Sequence, residues 1–226
     1  MVANAIDWPR FLPRKAMFYP ESASRSGGQS LSGSEQVNAI NPRWRARVAG
    51  PVVTETSVLA WRSFVASMNG RAGTVLVPKW ERRGVRDANG RELSQVNSAT
   101  YDTDELNFDL SGFGQSDLTH ATLAANASLN DTRISVTILD GEGPRPGQYI
   151  GIGDRLHLVS LAWEVSEGAP LQLQFTPWLR ASALAGARVI LDRPVCLMRF
   201  AQDMTGELEL DMGLWGDGTL EFVEAI

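Results

Sequence analysis

Residues 54–78, TETSVLAWRSFVASMNGRAGTVLVP, decide the fold class. Within them Val58, Trp61, Phe64, Val65 and Met68 recur at spacings of three and four, which places them on one stripe of a helix. Thr54, Thr56 and Ser57 can each cap its start, and Gly70 is placed to end it after Asn69. An indole and a phenyl ring on one stripe require an apolar surface to pack against. A strand to supply it follows at once in Thr74-Val75-Leu76-Val77, short, with β-branched residues at Thr74, Val75 and Val77, and closed by Pro78. One helix lying on a sheet is the first expectation.

Upstream, Trp44-Arg45-Ala46-Arg47-Val48 alternates within residues 36–48 and reads as a strand with one wet face. Residues 21–34 are rich in Ser and Gly and read as irregular. Residues 81–93, ERRGVRDANGREL, are polar and charged and read as an exposed loop or flap. Downstream, residues 118–191 hold a series of short strands separated by turn residues. Ile134-Ser135-Val136-Thr137-Ile138, Tyr149-Ile150-Gly151-Ile152, Arg155-Leu156-His157-Leu158-Val159, Leu171-Gln172-Leu173-Gln174-Phe175 and Arg188-Val189-Ile190-Leu191 are the members. That rhythm predicts a small barrel or sandwich. Residues 194–226 return to alternation at Val195-Cys196-Leu197-Met198-Arg199, Leu208-Glu209-Leu210-Asp211-Met212 and Leu220-Glu221-Phe222-Val223-Glu224, each with one polar face.

Composition bounds the function. The 226 residues are 43% hydrophobic and 21% charged, ordinary for a chain that builds its own core. A net charge of −5 argues against gripping phosphates as the main activity. Cys196 is the single cysteine, so neither an intramolecular disulfide nor a thiolate cluster is possible. The first ten residues lack the pattern of a signal peptide, and no apolar run is long enough for a membrane helix, so a soluble protein made in a reducing cytoplasm is expected.

Candidate chemistry is sparse. His120 and His157 lie far apart, and His157 falls where a strand should turn a polar side chain outward. No HExxH, CxxC or paired-histidine spacing is present, so no metal or cofactor site is expected. Gly151-Ile152-Gly153-Asp154 lacks the following helix that a pyrophosphate loop needs, and reads as a tight hairpin. Asp102, Asp104, Glu105 and Asp109 cluster without singling out the separated pair a glycosidase uses. Cys196 sits in an apolar run as packing, and Ser32 lacks the strand–turn–helix context of a nucleophile elbow. No catalytic residue is assigned. Trp8, Trp44, Trp61, Trp80, Trp163, Trp178 and Trp215 are spread over the chain as core or subunit-interface anchors, with sugar stacking the alternative.

Several segments together carry a resemblance to a known family. They are Gly28-Gln29-Ser30-Leu31-Ser32-Gly33-Ser34-Glu35-Gln36-Val37, Arg43-Trp44-Arg45-Ala46, Ala60-Trp61-Arg62 and Gly70-Arg71-Ala72-Gly73-Thr74-Val75-Leu76-Val77-Pro78. In the second half they are Pro146-Gly147-Gln148-Tyr149-Ile150-Gly151-Ile152-Gly153-Asp154-Arg155-Leu156, Pro177-Trp178-Leu179-Arg180, Pro194-Val195-Cys196-Leu197-Met198-Arg199 and Glu221-Phe222-Val223-Glu224. The likeness spans most of the chain: these segments resemble siphophage minor-tail and baseplate proteins, in particular the distal-tail proteins of the tail tip.

That resemblance implies a mainly-β fold: a tail-tube-like β-sandwich with one flanking α-helix, formed by residues 1–116 together with 195–226, and an inserted peripheral all-β domain at 117–194. It further implies a six-fold homo-oligomeric ring in the virion, with no membrane contact, joining the tail-tube protein to the hub and tip proteins. DNA would pass through the ring without specific binding, and an acidic lumen would keep it sliding. Closure of such a ring needs a large heterologous interface, for which residues 21–34 and 81–93 are the candidates. The competing readings are a host-recognition module in which residues 118–191 bind glycan, a tail-tube or tail-completion subunit, and a wall-degrading hydrolase, for which no site is evident.

Overall fold

The computed structural model describes residues 5–9, 13–29, 31–33, 35–52, 54–80, 83–86, 90, 93, 119–203, 205, 206, 208 and 216–226. The fold is mainly β with a single helix among the described residues and two six-stranded sheets.

The first sheet runs β1 (Ile6–Asp7), β4 (Val75–Pro78), β11 (Val195–Phe200), β12 (Gly216–Glu224), β3 (Glu35–Val52), β2 (Lys15–Gln29) in that spatial order. All its pairings are antiparallel except β1 on β4. The expected strand around Trp44 is therefore the middle of a much longer one. Its alternation holds: Trp44, Ala46 and Val48 are buried while Arg47 is exposed.

Helix α1 (Glu55–Met68) lies on one face of this sheet. Thr54 caps it, its hydroxyl accepting the Ser57 N–H at 3.2 Å while the Ser57 hydroxyl accepts the Thr54 N–H at 3.0 Å. Asn69 itself takes the left-handed conformation that ends the helix, with Gly70 continuing it at positive φ. Val58, Trp61, Phe64 and Met68 are buried, as their spacing requires. Phe64 meets Phe200 edge-on, Phe200 stacks on Phe222, and Trp8 leans against Phe64, Trp80 and Phe222. The Trp61 indole donates to the Gly206 carbonyl at 2.9 Å, and its ring lies directly over Gly218 on β12.

The second sheet runs β10 (Val189–Ile190), β7 (Tyr149–Ile152), β8 (Arg155–Trp163), β9 (Leu171–Thr176), β6 (Arg133–Ile138), β5 (Ala121–Leu123). A bridge between Thr122 and Arg188 ties its two edges, so of the barrel and sandwich alternatives it is nearly a barrel. Inward residues such as Leu123, Val136, Ile150, Leu173 and Phe175 fill the interior. Every one of these strands lies between β4 and β11 in the chain. Gly151-Ile152-Gly153-Asp154 forms the two-residue hairpin between β7 and β8, with Ile152 opposite Arg155 and Gly153 at φ 57°.

Two expectations change. Residues 21–34 are not irregular: through Gln29 they belong to β2, which pairs with β3 beyond the body of the sheet, and residues 31–33 turn at the tip. Ser and Gly read as loop because they contribute nothing to a core, yet ladder hydrogen bonds between two strands do not need one. Residues 81–93 are not simply solvated either. Val85 is buried in the barrel core with Leu93 packed beside it, the Arg86 carbonyl accepts the Glu142 N–H at 2.8 Å, and Gln148 donates to the Arg83 and Gly84 carbonyls. Residues 81, 82, 87–89, 91 and 92 lie outside the described residues, as do the acidic cluster at 102–109, most of the strand expected at 208–212, and Trp215.

The closeness of the sheet and the Trp61 ring gives a direct test. A methyl added at Gly218 would stand 2.4 Å from the indole carbons, so Gly218→Ala must displace the ring. We expect it to destabilise the protein by about 2 kcal/mol, lowering Tm by roughly 4–8 °C in calorimetry.

Candidate functional site: the sheet–barrel junction and the projecting arm

The inner face of the first sheet is longer than the helix that covers it. The uncovered end, around Trp44 and Glu224, is closed by the β7–β8 hairpin of the barrel. Leu156 is buried in the sheet's core, with Tyr149 and Leu158 packed against it. The Trp44 indole N–H donates to the Leu156 carbonyl at 2.6 Å, and the Leu197 N–H donates to the Asp154 carbonyl at 2.9 Å. Lys79, almost buried, holds its ammonium over the Tyr149 ring at 4.4 Å and over Phe18 at 5.5 Å.

Glu224 lies at the centre of this junction, its side chain only 2% exposed. One oxygen accepts the Trp44 backbone N–H at 3.2 Å. Arg155 from the β7–β8 hairpin approaches the other at 3.4 Å and also donates to the Ala225 carbonyl. Arg180 reaches both oxygens, at 3.3 and 3.4 Å, and donates to the Pro42 carbonyl at 2.6 Å. A carboxylate of the sheet is thus held by two guanidiniums of the barrel. The Trp178 N–H, donating to the Asn41 side-chain oxygen at 2.9 Å, adds a further tie.

His157 faces into the protein and is 1% exposed, not outward as its strand position suggested. β8 is covered on both faces here, by the first sheet beyond Leu156 and by the barrel interior, so alternation no longer marks a wet side. Its Nδ1–H donates to the Pro177 carbonyl at 2.7 Å, its ring meets Phe175 edge-on, and Nε2 has no hydrogen-bond partner among the described residues. Burial first, then the positive charges of Arg180 and Arg155, push its pKa down to about 4, so the ring is neutral.

The other candidates are not assembled into a site. His120 is buried and its Nδ1 lies 3.2 Å from Asp140. Cys196 is fully buried within the sheet core, where loss of solvation pushes its thiol up. Ser32 stands exposed at the tip of the β2–β3 turn. Among the described residues no three His, Cys, Asp or Glu side chains converge as a metal site would require. Of the tryptophans, Trp44 and Trp61 are buried, Trp8, Trp80 and Trp178 half-buried, and Trp163 exposed.

The most unusual surface is the β2–β3 arm. β12 pairs with β3 only as far as Arg45, and beyond Arg43 the two strands pair with each other alone, out to Gln29 opposite Glu35. A register shift between Glu21 and Ala23 marks where the ribbon leaves the sheet. The arm extends roughly 25 Å at ~3.3 Å per residue. Ser24, Ser26, Leu31, Val37 and Ile40 along it are exposed. At its base Met17 and Tyr19 are exposed beside Arg45, which pairs with Glu21 at 2.8 Å. β2 is the edge of the sheet, with a row of backbone groups turned to solvent. Sequence reasoning missed the arm because nothing in its composition marks it; the one legible hint was the Val37 and Ile40 pair upstream of Trp44.

Removing Glu224 leaves Arg155 and Arg180 partly buried without their carboxylate, so Glu224→Ala should cost about 3 kcal/mol or more in urea unfolding. The imidazole of the unfolded chain takes up a proton near its ordinary value of 6.5, whereas folded His157 resists until about pH 4. Its contribution to stability is therefore complete above about pH 6.5 and lost progressively as pH falls to 4, by at most about 3 kcal/mol. The variant His157→Gln, which keeps an N–H donor, should flatten that part of the stability–pH curve.

Compared with protein-family models and with curated proteins, the sequence matches none.

Proposed function

We propose that this chain is a structural subunit of a tailed-phage tail tip, of the distal-tail type, and that it performs no catalysis. Identical copies close into a ring, six-fold in this reading, that joins the tail tube to the hub and lets DNA pass. It is made in the host cytoplasm and carried in the virion.

The observation that carries the reading is the β2–β3 arm. A two-stranded ribbon is marginal in water unless a third strand or another surface covers it. Beyond Arg43 no third strand among the described residues pairs with this one, and the Trp178 N–H on the Asn41 side chain ties only its root to the barrel. An arm that leaves the body, exposes Leu31, Val37 and Ile40, and presents a free strand edge is suited to lie on a neighbouring copy. The overall build supports the same reading. The sheet carries the arm and the helix, while the barrel is attached at one end, so a ring made by the sheets leaves the barrels at its margin. The acidic balance of −5 suits a passage that does not hold phosphates.

Excising residues 23–40 and closing the strands with an Asn-Gly turn should give a folded, monomeric protein. Light scattering after size exclusion, with negative-stain images of the intact chain, measures this. Rings from the intact chain that vanish in the shortened one are expected; rings that survive the excision, or an intact chain that stays monomeric at high concentration, would refute the reading.

A further inference from the structure

We infer that the outer face of β8, β9 and β6 on the barrel is a binding platform for a neutral oligosaccharide. This does not depend on the assembly reading above.

The face is made by a local irregularity. β8 begins in the junction, where Leu156 packs on the first sheet. Between Val159 and Leu161 its register against β9 shifts by a bulge. Beyond it Ala162 stands opposite the buried Leu173, so Leu161 and Trp163 turn outward, opposite Gln174 and Gln172. On the next strand Arg133 faces Gln174 and Ser135 faces Gln172. Two rows result: Leu161, Gln174, Arg133 and Trp163, Gln172, Ser135. Three strands at ~4.8 Å spacing make each row about 10 Å across, the span of a disaccharide.

The chemistry of the rows fits a sugar better than other ligands. Trp163 is 37% exposed, which leaves a large apolar ring in water. It is held by the Arg133 guanidinium at 5.8 Å from its ring. Gln172 is also fixed, accepting from the Ser135 hydroxyl at 2.8 Å and donating to the Pro170 carbonyl at 3.3 Å. Its amide keeps one N–H and one lone pair for a ligand. A pyranose offers the complement, an apolar C–H face for the indole and a rim of hydroxyls that donate and accept. Groups fixed in advance lower the ordering cost of binding. A nucleic acid is disfavoured because Arg133 is the single cation of the two rows and Glu164 follows Trp163. A protein partner is disfavoured because four of the six side chains are polar and flank the indole.

The test uses the full chain on a printed array of neutral oligosaccharides, with cellohexaose and chitohexaose titrated by calorimetry. Binding that Trp163→Ala weakens about tenfold or more, and that Leu184→Ala on the loop before β10 leaves unchanged, is expected. A silent array with no heat from either sugar would overturn the inference, and so would binding that survives Trp163→Ala. Because the arm is untouched in these variants, light scattering on the same samples keeps this outcome separate from that of the assembly reading.

Discussion

The inner face of the first sheet is apolar along more length than one helix of fourteen residues can cover. Everything else in the architecture answers that constraint. Trp61, Phe64 and Met68 close one end, and the β7–β8 hairpin, through Leu156, Tyr149 and Leu158, closes the other. The sheet and the barrel therefore share a core and are not beads on a string. A buried carboxylate at the seam makes the arrangement specific. Arg155, Arg180 and the Trp44 N–H surround the Glu224 carboxylate, and that geometry exists in one relative placement of sheet and barrel.

The shared core gives the polar residues of the seam their partners. His157, Glu224, Arg155 and Arg180 form a close set of ionisable groups at the seam, which is where a reacting site would first be sought. Each has a structural task. Glu224 is consumed by its three donors, His157 is neutral and capped by Pro177, and Cys196 is sealed behind them. Two surfaces stand apart from this set: an arm that projects from the edge of the sheet and a flat face on the far half of β8.

Those surfaces differ in the physics they offer. The arm presents backbone edges and scattered apolar side chains, which favour strand pairing and repeated contact with like copies. The barrel face presents a fixed indole among amides and a hydroxyl, which favours a small ligand with both an apolar and a polar side. Their separation follows from β3 and β8 each being longer than the body they help build. In both strands the part that lies over a core is buried, and the part that outruns it is left to meet something else.

The ring reading rests on the resemblance to distal-tail proteins, and the β2–β3 arm is the surface proposed for contact between copies. Local sequence determined the helix, its start among the capping residues Thr54, Thr56 and Ser57, its buried stripe, the Gly153-Asp154 hairpin and the β-rich rhythm of residues 118–191, because each depends on neighbours within a few positions. Tertiary structure alone decided the rest. Trp44 and Glu224 are 180 positions apart and meet only because β12 returns beside β3. His157 looked like an outward residue because periodicity assumes one wet face, and only the packing of the sheet onto β8 removes it. The Ser- and Gly-rich residues of β2 form a strand because β3 lies alongside, a partner that no local pattern names. Alternation reports which residues share a face; what that face is pressed against is a property of the folded chain.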